Sequence, residues 1–439
     1  MARRKRVRLV EVEVSGRHYR PFDGTWHAEG TVTFDSTPVA FTADREDGAW
    51  SVTMEKVKGY DAHSVAEARR LVTTALEEER KFVSLELKTK AKRVTRQLLV
   101  EKHVEEKVKL AHGGGGTLML GLIRDLFLPL LGGKVLSRLE DAAVIRVGGE
   151  RLAFTTDSYV VRPLFFPGGD IGRLAVAGTV NDLATGGARA KALSIGLIVE
   201  EGFPLADLKR IIESVAATAK EARVHVVTGD TKVVERGAAD GVYINSAGVG
   251  LVPQGVHPSP HKARPGDAVI VTGTIGDHGI AVMSRRKGMA FDVDVVSDVA
   301  PLGAMTAGLL ERFGADVRCL KDPTRGGLAA ALNEIAEQSG VQIEMDEARI
   351  PIRAGVISAC EMLGFDPLLV ANEGKMVVVA RGRSAADVVK YLRRRREARQ
   401  AAVVGRVVAR GAPRVAMRTA IGGIRIVDMP YGEQLPRIC

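Results

Sequence analysis

The feature that most constrains the fold is a repeated local pattern from Ala111 onward. Short runs of β-branched residues end in Asp, Thr or Gly clusters and are followed by helical stretches; RLAFTTDSYVV (151–161) and VHVVTGDTKVV (224–234) show it best. Strands that alternate with helices are typical of α/β folds. The pattern restarts at PGDAVIVTG (265–273), so we predict two α/β domains, residues 111–258 and 259–430. The boundary between them is predicted in the Pro-, Gly- and His-rich stretch VPQGVHPSPHKARPGD (252–267).

The first 110 residues have a different sequence pattern. VEVEV (10–14) alternates at period two, TVTFDSTPVAFTA (31–43) and WSVTMEKV (50–57) resemble strands, and Asp47-Gly48 between the latter two is a hairpin signal. A helix is predicted to begin at the capping box Ser64–Glu67, with one apolar face. We therefore expect an extra small α+β domain over residues 1–87, made of an antiparallel sheet and a covering helix. A charged connector is predicted over residues 88–110.

Composition excludes several classes of protein. The chain has 439 residues and a formal net charge of +10, but the excess lies in the three runs 3–8, 88–93 and 393–399, which lack interleaved aromatic residues. Such runs favour solvated helix faces and a basic arm over nucleic-acid binding. No apolar stretch approaches the length of a membrane span, and the three cysteines are too scattered for a disulfide framework or a zinc site. A cytoplasmic protein is expected.

Five aspartates lie at strand ends or in tight loops. Carboxylates placed repeatedly just past apolar strands predict a converging cluster that binds Mg²⁺ together with substrate phosphates. Any one of them alone is better interpreted as a cap or turn residue, but their number and their polar neighbours favour a nucleotide site without a Walker loop. The aspartates are Asp141, Asp157, Asp182, Asp230 and Asp322, and the neighbours are Thr155, Thr156, Asn181 and Lys232.

Two glycine runs bear on the same site. HGGGG (112–116) precedes the apolar helical segment LMLGLIRDLF. The backbone amides of this loop are predicted to wrap an anion, or the loop is predicted to form a mobile flap. The residues concerned include His112, Gly113 and Gly114. A plain flexible linker is an equal alternative. GTIGDHG (273–279) has the wrong glycine spacing for a dinucleotide fingerprint.

The chain ends in PRIC, which puts a thiol on its last residue, Cys439. Cysteine is a residue type that folded proteins usually bury, whereas chain ends are usually poorly ordered. Residues 431–439 are predicted to form a flexible tail that carries Cys439. Gly432 and Pro436 discourage helix there, and from Pro430 the chain can extend roughly 30 Å. This reach suffices to enter a cleft and to leave it.

Taken together, the motifs resemble those of the HypE family of hydrogenase maturation factors, within the superfamily of aminoimidazole ribonucleotide synthetase and selenophosphate synthetase. The resemblance spans residues 111–439 and leaves out the first hundred or so. The motifs that carry it, in chain order, are HGGGG, EDAAVI, TTDSYVV, PLFFPGGDIGRLAVAGTVNDLA, EEGF, GDTKVV, GTIGDHGIAVMSRRKG, SDVAPL, KDPTRGGLAAALNEIA, ANEGKM and PRIC.

This resemblance implies a homodimer of two-domain α/β chains with ATP in the cleft between the domains. It implies that the five aspartates, Asp141, Asp157, Asp182, Asp230 and Asp322, hold magnesium and the triphosphate. Thr155, Thr156, Asn181 and Lys232 are expected to contact the nucleotide, and the glycine loop with His112 is expected to assist.

The resemblance also implies a chemistry. Cys439 would receive a carbamoyl group from a HypF-type carbamoyltransferase, and ATP-dependent removal of water would leave a thiocyanate on the sulfur. The cyanide would then pass to iron in a complex of HypC with HypD, as a ligand for a [NiFe] hydrogenase. Glu373 is the expected base, and Lys232 would neutralise charge on the transferring phosphoryl group.

Two alternatives remain open at this stage. One is another ATP-dependent member of the superfamily, such as a selenophosphate synthetase or a thiamine monophosphate kinase. The first would need a reactive Cys near the glycine loop, yet none precedes Cys319, and the second would have no use for PRIC. The other alternative is a non-catalytic scaffold that binds nucleotide and other maturation proteins.

Overall fold

The computed structural model divides the chain into two compact units, Met1–Val108 and Lys109–Cys439. Each unit is described by itself. The structure describes residues 9–20, 25–34, 37–46, 49–54, 66, 68–70, 72–73, 82–90, 93–99, 107–286, 294–432 and 437–439.

The first unit is built on a six-stranded sheet in which every neighbouring pair is antiparallel, in the order β4-β3-β2-β1-β5-β6. Residues 66, 68–70 and 72–73 are helical, and Ala68 and Val72 are fully buried, as expected for the apolar face of the predicted helix. The strands are β1 Leu9–Arg20, β2 Thr25–Phe34, β3 Thr37–Glu46, β4 Ala49–Met54, β5 Phe82–Lys90 and β6 Arg93–Leu99.

The predicted antiparallel sheet is thus present. Glu46 pairs with Ala49 across the β3–β4 hairpin, although Asp47 and Gly48 themselves, like the capping box Ser64–Glu67, lie outside the described residues. The predicted connector was wrong over residues 88–90 and 93–99, because β5 extends to Lys90 and β6 covers Arg93–Leu99. The alternation of Val83, Leu85 and Leu87 is the period-two signal that marks β5, and the neighbouring lysines obscured it.

The second unit contains two larger sheets and the helices that cover them. Its strands are β7 Ala143–Val147, β8 Glu150–Tyr159, β9 Phe165–Phe166, β10 Gly169–Asp170, β11 Arg189–Glu200, β12 His225–Val234, β13 Val242–Leu251, β14 Asp267–Val271, β15 Val317–Lys321, β16 Val341–Asp346, β17 Val377–Arg381, β18 Ala402–Arg410, β19 Arg414–Arg418 and β20 Ile424–Ile426. Its α-helices are α1 Thr117–Leu122, α2 Leu128–Leu131, α3 Ile171–Thr185, α4 Leu205–Ala222, α5 Asp277–Met283, α6 Gly303–Phe313, α7 Gly327–Ser339, α8 Ala354–Leu363 and α9 Ala385–Leu392, with a π-helical turn at Ile123–Phe127 between α1 and α2.

The first large sheet has the strand order β12-β11-β13-β8-β7 and is antiparallel except for the parallel β11–β12 pair. Helix α3 contacts β8 and β13 and is buried along almost its whole length. It begins at Asp170, whose carboxylate accepts hydrogen bonds from the amides of Gly172 (2.8 Å) and Arg173 (3.0 Å). This cap fixes the helix start and so the register of the polar residues in its last turns.

The second large sheet has the strand order β15-β17-β14-β18-β16-β19-β20. Successive valines of β17 face opposite sides, as period two requires: Val377 and Val379 belong to a core cluster with α7, whereas Val378 belongs to one with α6 and α9. The predicted boundary stretch lies between β13 and β14. Among the described residues, no helix combines the length and the apolar character that crossing a membrane requires.

Because the two units are separately compact, deletion of residues 1–108 should leave the second unit folded. We expect its thermal unfolding midpoint to shift by no more than a few degrees and its nucleotide binding to be kept, because each unit buries its own apolar residues. Calorimetry of full-length and truncated protein measures this. A truncated chain that aggregates or unfolds at room temperature would contradict the division into units.

Candidate active site

Five acidic side chains from both large sheets converge in one region of the second unit. Asp157 lies on β8, Asp182 lies near the end of α3, and Asp141 stands two residues before β7. Asp322 follows β15 directly, and Glu373 lies in the loop before β17. We refer to these five residues as the acidic cluster. Four of them were predicted as metal ligands and Glu373 as a base. The structure brings these five residues together, although Asp182 lies within helix α3 rather than at a strand end or in a loop.

The two aspartates at its centre contact each other. The side chains of Asp157 and Asp182 are hydrogen-bonded, and the Tyr159 hydroxyl donates to Asp157 Oδ2 (3.2 Å). Burial raises the pKa of the Asp182 carboxyl well above its usual range, and the negative charge of Asp157 adds to the rise. Burial also raises the pKa of Asp157. Two carboxylates this close cannot both stay ionised without a cation or a shared proton.

The pKa values of the two carboxyls from the second domain, those of Asp322 and Glu373, are raised in the same way. Burial and then the charge of Asp141 raise the pKa of Asp322 to about 7. Burial and then the charge of Asp322 raise the pKa of Glu373 well above its usual range. Glu373 Oε1 is buried and makes no hydrogen bond within the described part of the chain. Such buried, mutually repelling acids are a property of functional sites.

Two cations that were not predicted counter this charge. Lys321 Nζ lies 2.6 Å from Asp141 Oδ1 and 2.8 Å from Glu334 Oε2. Cys439, the end of the chain, is the largest of the negative charges that raise the pKa of Arg325, and members of the acidic cluster supply the others. Both cations belong to the motif KDPTRGG, in which only Asp322 was predicted as a site residue. Both residues are basic and lie close to Asp322 in the sequence, and this could have identified them as site residues.

Backbone contacts hold Glu373 in place. Its amide donates to Asp298 Oδ1 (3.1 Å), and its carbonyl accepts from Asn181 Nδ2 (3.2 Å). The next residue is Gly374, where an added Cβ would collide with the Asp298 carbonyl, so only glycine permits this approach. The loop before β17 is therefore packed tightly against the segment that carries Asp298.

Asn181 was predicted to contact nucleotide. In the structure its side chain forms hydrogen bonds with backbone groups of the protein. Its Nδ2 also donates to the Ala300 carbonyl (3.1 Å), and its Oδ1 accepts from the Leu302 amide (2.7 Å). With the bond to Glu373, every polar atom of this 2 % exposed side chain is used between the two domains. Asn181 thus bridges the two domains and bonds to the backbone of Glu373, and its predicted nucleotide contact stays a prediction.

Three predicted residues do not join the cluster within one chain. Asp230 and Lys232 lie exposed on the edge strand β12 and form an ion pair with each other at 2.6 Å. Strands β11 and β13 separate β12 from β8, which corresponds to about 14 Å at the usual strand spacing. Thr156 is exposed, and its hydroxyl accepts from Asn245 on the face opposite Thr155. Successive side chains of a strand point to opposite faces, so the neighbouring Thr155 and Thr156 lie on opposite faces of β8.

Thr155, by contrast, lies where it was predicted. It is buried, and its hydroxyl is 2.9 Å from both Asp182 Oδ2 and the Asp141 carbonyl. It therefore links the loop before β7 to α3 through the centre of the acidic cluster.

The glycine run is anchored to the same region. The predicted helical segment after it is confirmed as α1, the π-helical turn and α2. His112 Nδ1 accepts from the Lys109 amide (2.9 Å), and the Gly113 carbonyl, one residue before Gly114, accepts from Arg325 Nη1 (3.2 Å). The loop is thereby connected to the cation that also faces the acidic cluster and Cys439.

The donor set suits a hard divalent cation. Its members are carboxylates, the central pair has raised pKa values, and Glu373 Oε1 is an orphaned buried acceptor. Among the described residues no group of three or more His, Cys, Asp or Glu side chains is arranged to hold a metal by itself. Mg²⁺ in proteins is usually held by one or two carboxylates plus substrate phosphates.

A cavity of about 580 Å³ adjoins the cluster at Asp141. Its lining includes the apolar Val144 as well as Arg138, Arg146 and Arg151. The lining also contains the acidic residues Glu140, Asp141 and Glu150, so arginines and carboxylates balance. Its volume is in the range of small-molecule and cofactor sites.

The comparison with known families agrees with this architecture. Residues 139–252 match the family described as AIR synthase related protein, N-terminal domain, and residues 264–418 match the corresponding C-terminal domain. The fold and the acidic cleft thus define a two-domain protein of the AIR synthase-related class. The first 108 residues lie outside both matches.

Comparison with individual relatives identifies the family within this class. The chain is 52% identical over 332 residues to the carbamoyl dehydratase HypE of Bradyrhizobium diazoefficiens, an alignment that covers 76% of this chain and 96% of the relative. It is 43% identical to the HypE of Escherichia coli over 337 residues, covering 76% of this chain and 99% of that one. The chain therefore belongs to the HypE family of carbamoyl dehydratases, which are enzymes of hydrogenase maturation.

Solved structures give the same result. A crystal structure of a HypE–HypF complex matches with a TM-score of 0.67 and 45% identity, covering 70% of this chain and 99% of that one. HypE in complex with ATP matches with a TM-score of 0.64 and 45% identity, covering 76% and 100%. Thiamine monophosphate kinase from Aquifex aeolicus matches at 21% identity with a TM-score of 0.50, covering 69% and 97%, which shows a shared fold alone.

Proposed function

We propose that this protein uses ATP and magnesium to remove water from a carbamoyl group carried on Cys439, which leaves a thiocyanate on the sulfur. The observation that carries this proposal is the position of the chain end. The Val160 amide, three residues after Asp157, donates to the Cys439 carbonyl oxygen (3.0 Å), so the last residue lies beside the end of β8 that carries Asp157. A tail thiol beside a perturbed acidic cluster is the arrangement that a tethered substrate requires.

ATP is the proposed co-substrate because a relative at 45% identity has been crystallised with it. The cavity beside Asp141 offers room for a nucleotide, and the acidic cluster at its end would face the phosphates through the cation. In that arrangement Asp141, Asp157, Asp182 and Asp322 are the proposed magnesium residues, and Thr155 supports them. Magnesium would supply neutralisation of charge on the transferring phosphoryl group.

The proposed reaction has two steps, phosphoryl transfer and elimination. The carbamoyl oxygen attacks the γ-phosphorus of ATP, and the bond from that phosphorus to the bridging oxygen of ADP breaks. Both nitrogen protons then leave, the carbon–oxygen bond breaks, and phosphate departs with the former carbamoyl oxygen. The products are thiocyanate on Cys439, ADP and phosphate.

Glu373 is the proposed base for the nitrogen protons. Burial raises the pKa of its carboxyl, which makes the carboxylate a stronger base, and its backbone is fixed by Asn181 and Asp298. Arg325 is suited to hold the terminal segment, because it faces Cys439 and the glycine loop at once.

The proposed protein partners follow from the chemistry and the relatives. A HypF-type carbamoyltransferase would supply the carbamoyl group, consistent with the solved HypE–HypF complex. A HypC–HypD complex would accept the cyanide on iron for a [NiFe] hydrogenase.

A second copy of the chain is the proposed partner of β12. This edge strand is exposed on both faces, and an open apolar groove of about 900 Å³ lies between it and α4. Exposed edges of this kind are usually covered in native proteins. Within one chain Asp230 and Lys232 lie away from the acidic cluster. Pairing with a second copy is the proposed way to bring them close to a nucleotide site.

Replacement of Val233 by Glu should therefore convert the dimer to monomer. Val233 is 68% exposed on β12, and two-fold symmetry would bring the added charge into the interface twice. We expect the dissociation constant to rise at least about tenfold, measured by light scattering across a dilution series. Val147→Glu on the opposite edge strand β7 is the matched control. Unchanged dimerisation of the Val233 variant, or a monomeric wild type, would exclude this interface.

The experiment that tests the proposed function is the mass of the C-terminal peptide. After incubation with a HypF-type carbamoyltransferase the peptide should carry a carbamoyl group, and addition of ATP and Mg²⁺ should convert it to the thiocyanate. Hydrolysis of ATP without any change of the tail would exclude the dehydratase and favour another ATP-dependent activity. Neither hydrolysis nor tail modification would favour a scaffold.

A further inference from the structure

The end of the chain is packed as part of the protein core. Ile438 is 1% exposed and belongs to a buried cluster that contains residues of both AIR synthase-related domains, among them Val161, Ile280 and Val356. Cys439 packs at the edge of the same cluster. The tail is therefore docked through an apolar anchor that stands immediately before the thiol.

Backbone hydrogen bonds align the docked tail with the chain that follows β8. The Val160 amide donates to the Cys439 carbonyl oxygen (3.0 Å), and the Arg162 amide donates to the Arg437 carbonyl (3.1 Å). Arg437 Nε donates to the Val160 carbonyl (2.9 Å), and Arg437 Nη1 lies 2.5 Å from Asp240 Oδ2. The last three residues are thus bonded on one side much like a short strand.

On the other side a buried histidine holds the remaining carbonyl. His278 on α5 is fully buried; its Nε2 lies 2.9 Å from the Ile438 carbonyl oxygen, and its Nδ1 lies 2.8 Å from Ser297 Oγ. A carbonyl only accepts, so Nε2 carries a proton and donates it. The Ser297 hydroxyl accepts from the Val299 amide (3.1 Å) and can give its own proton to Nδ1. Burial lowers the pKa of His278, in agreement with this neutral tautomer.

We propose that His278 is a positioning residue that latches the tail in its docked conformation. The Ile438 carbonyl and the Cys439 amide belong to one planar peptide group, so the bond from His278 fixes the plane from which the Cys439 side chain projects. The Val160 amide fixes the other end of Cys439. With both ends held, rotation about the Cα–Cβ bond is the remaining freedom of the sulfur.

The latch rests on the proposed function for its purpose, because a carrier thiol must be both held in the cleft and released to a partner. His278 acts through the Ile438 carbonyl and sets the balance between these two states. Its loss should favour release, and thus access to Cys439, without a direct effect on phosphoryl transfer.

The test compares His278→Asn with His278→Gln in the full-length protein. The glutamine amide nitrogen reaches about as far as imidazole Nε2, whereas the asparagine amide stops near Nδ1 and cannot reach Ile438. Alkylation of Cys439 by iodoacetamide, without nucleotide, is followed through the mass of the C-terminal peptide. Cys319 and Cys360 are buried, and burial raises the pKa of Cys360 to about 11, so neither competes.

We expect the asparagine variant to be alkylated about two- to tenfold faster than wild type, and the glutamine variant to remain within about twofold of it. Arg437→Gln, a change on the tail that leaves the core intact, should also speed alkylation. Carbamoyl transfer by a HypF-type enzyme should be as fast or faster in the asparagine variant, whereas a general defect of folding would slow it.

Equal alkylation rates in wild type and both His278 variants would overturn the latch, and so would equal acceleration by asparagine and glutamine. Slower carbamoyl transfer in the asparagine variant would also overturn it. If alkylation follows the prediction while wild type forms no thiocyanate, the latch stands and the proposed function fails. If wild type forms thiocyanate and alkylation is unchanged, only the latch fails.

Discussion

Replacement of Cys439 by Ala should abolish thiocyanate formation while nucleotide binding persists. The sulfur is the proposed attachment point of the carbamoyl group, and the buried Cys319 and Cys360 cannot replace it. The acidic cluster and the cavity beside Asp141 contain no atom of the thiol, so the affinity for ATP should stay within about threefold of wild type. Mass spectrometry of the C-terminal peptide and calorimetric titration with ATP measure the two quantities.

Cys360→Ala is the matched control, because it removes a thiol from the core and leaves the tail intact. It should retain thiocyanate formation, with at most a loss of stability. A modified C-terminal peptide in the Cys439→Ala protein would refute the assignment of the carrier. Loss of ATP binding in that variant would show that the docked tail contributes to the nucleotide site.

Replacement of Glu373 by Gln should slow dehydration by about 10²- to 10⁴-fold, the usual contribution of a positioned general base. Gln keeps the size of the side chain and the backbone bonds to Asn181 and Asp298, but it removes the group that takes the nitrogen protons. Carbamoylation of Cys439 by the partner should be unaffected, because it precedes this step. The carbamoylated tail should therefore accumulate, and quenched single-turnover mass spectrometry measures it.

Glu361→Gln, on the exposed surface of α8, is the matched control and should react like wild type. If Glu373→Gln slows carbamoylation and dehydration equally, the residue has a structural role. Dehydration at the wild-type rate would remove Glu373 from the chemistry, and the search for a base would move to other members of the acidic cluster.

The sequence predicted the fold well where its pattern is local. The antiparallel sheet of the first unit, the α/β texture from Ala111 and the segment between β13 and β14 all follow from periodicity and turn residues. The connector was mispredicted in part because the basic residues of β5 and β6 outweighed a weak alternation. Pairing of β5 with β1 and of β6 with β5 supplies what the local pattern lacks.

The candidate site was predicted in part. Asp157 and Asp182 were singled out and lie in contact, and Asp322 and Glu373 are near them. Thr155 and Thr156 were treated alike, although period two in β8 already separates their faces. Asp230 and Lys232 matched the motif, but the order of strands places β12 at an edge, and no motif records that order.

By itself the sequence determined the α/β class, the acidic residues at strand ends and the thiol at the chain end, because each is a local pattern or a residue type. Only the tertiary structure decided which acids meet, that Asn181 bridges two domains, and that Lys321 and Arg325 balance the cluster. It alone showed Ile438 in the core and His278 bonded to its carbonyl across 160 residues of sequence. Burial and charge contacts of this kind depend on where distant segments pack, and residue order alone does not contain that information.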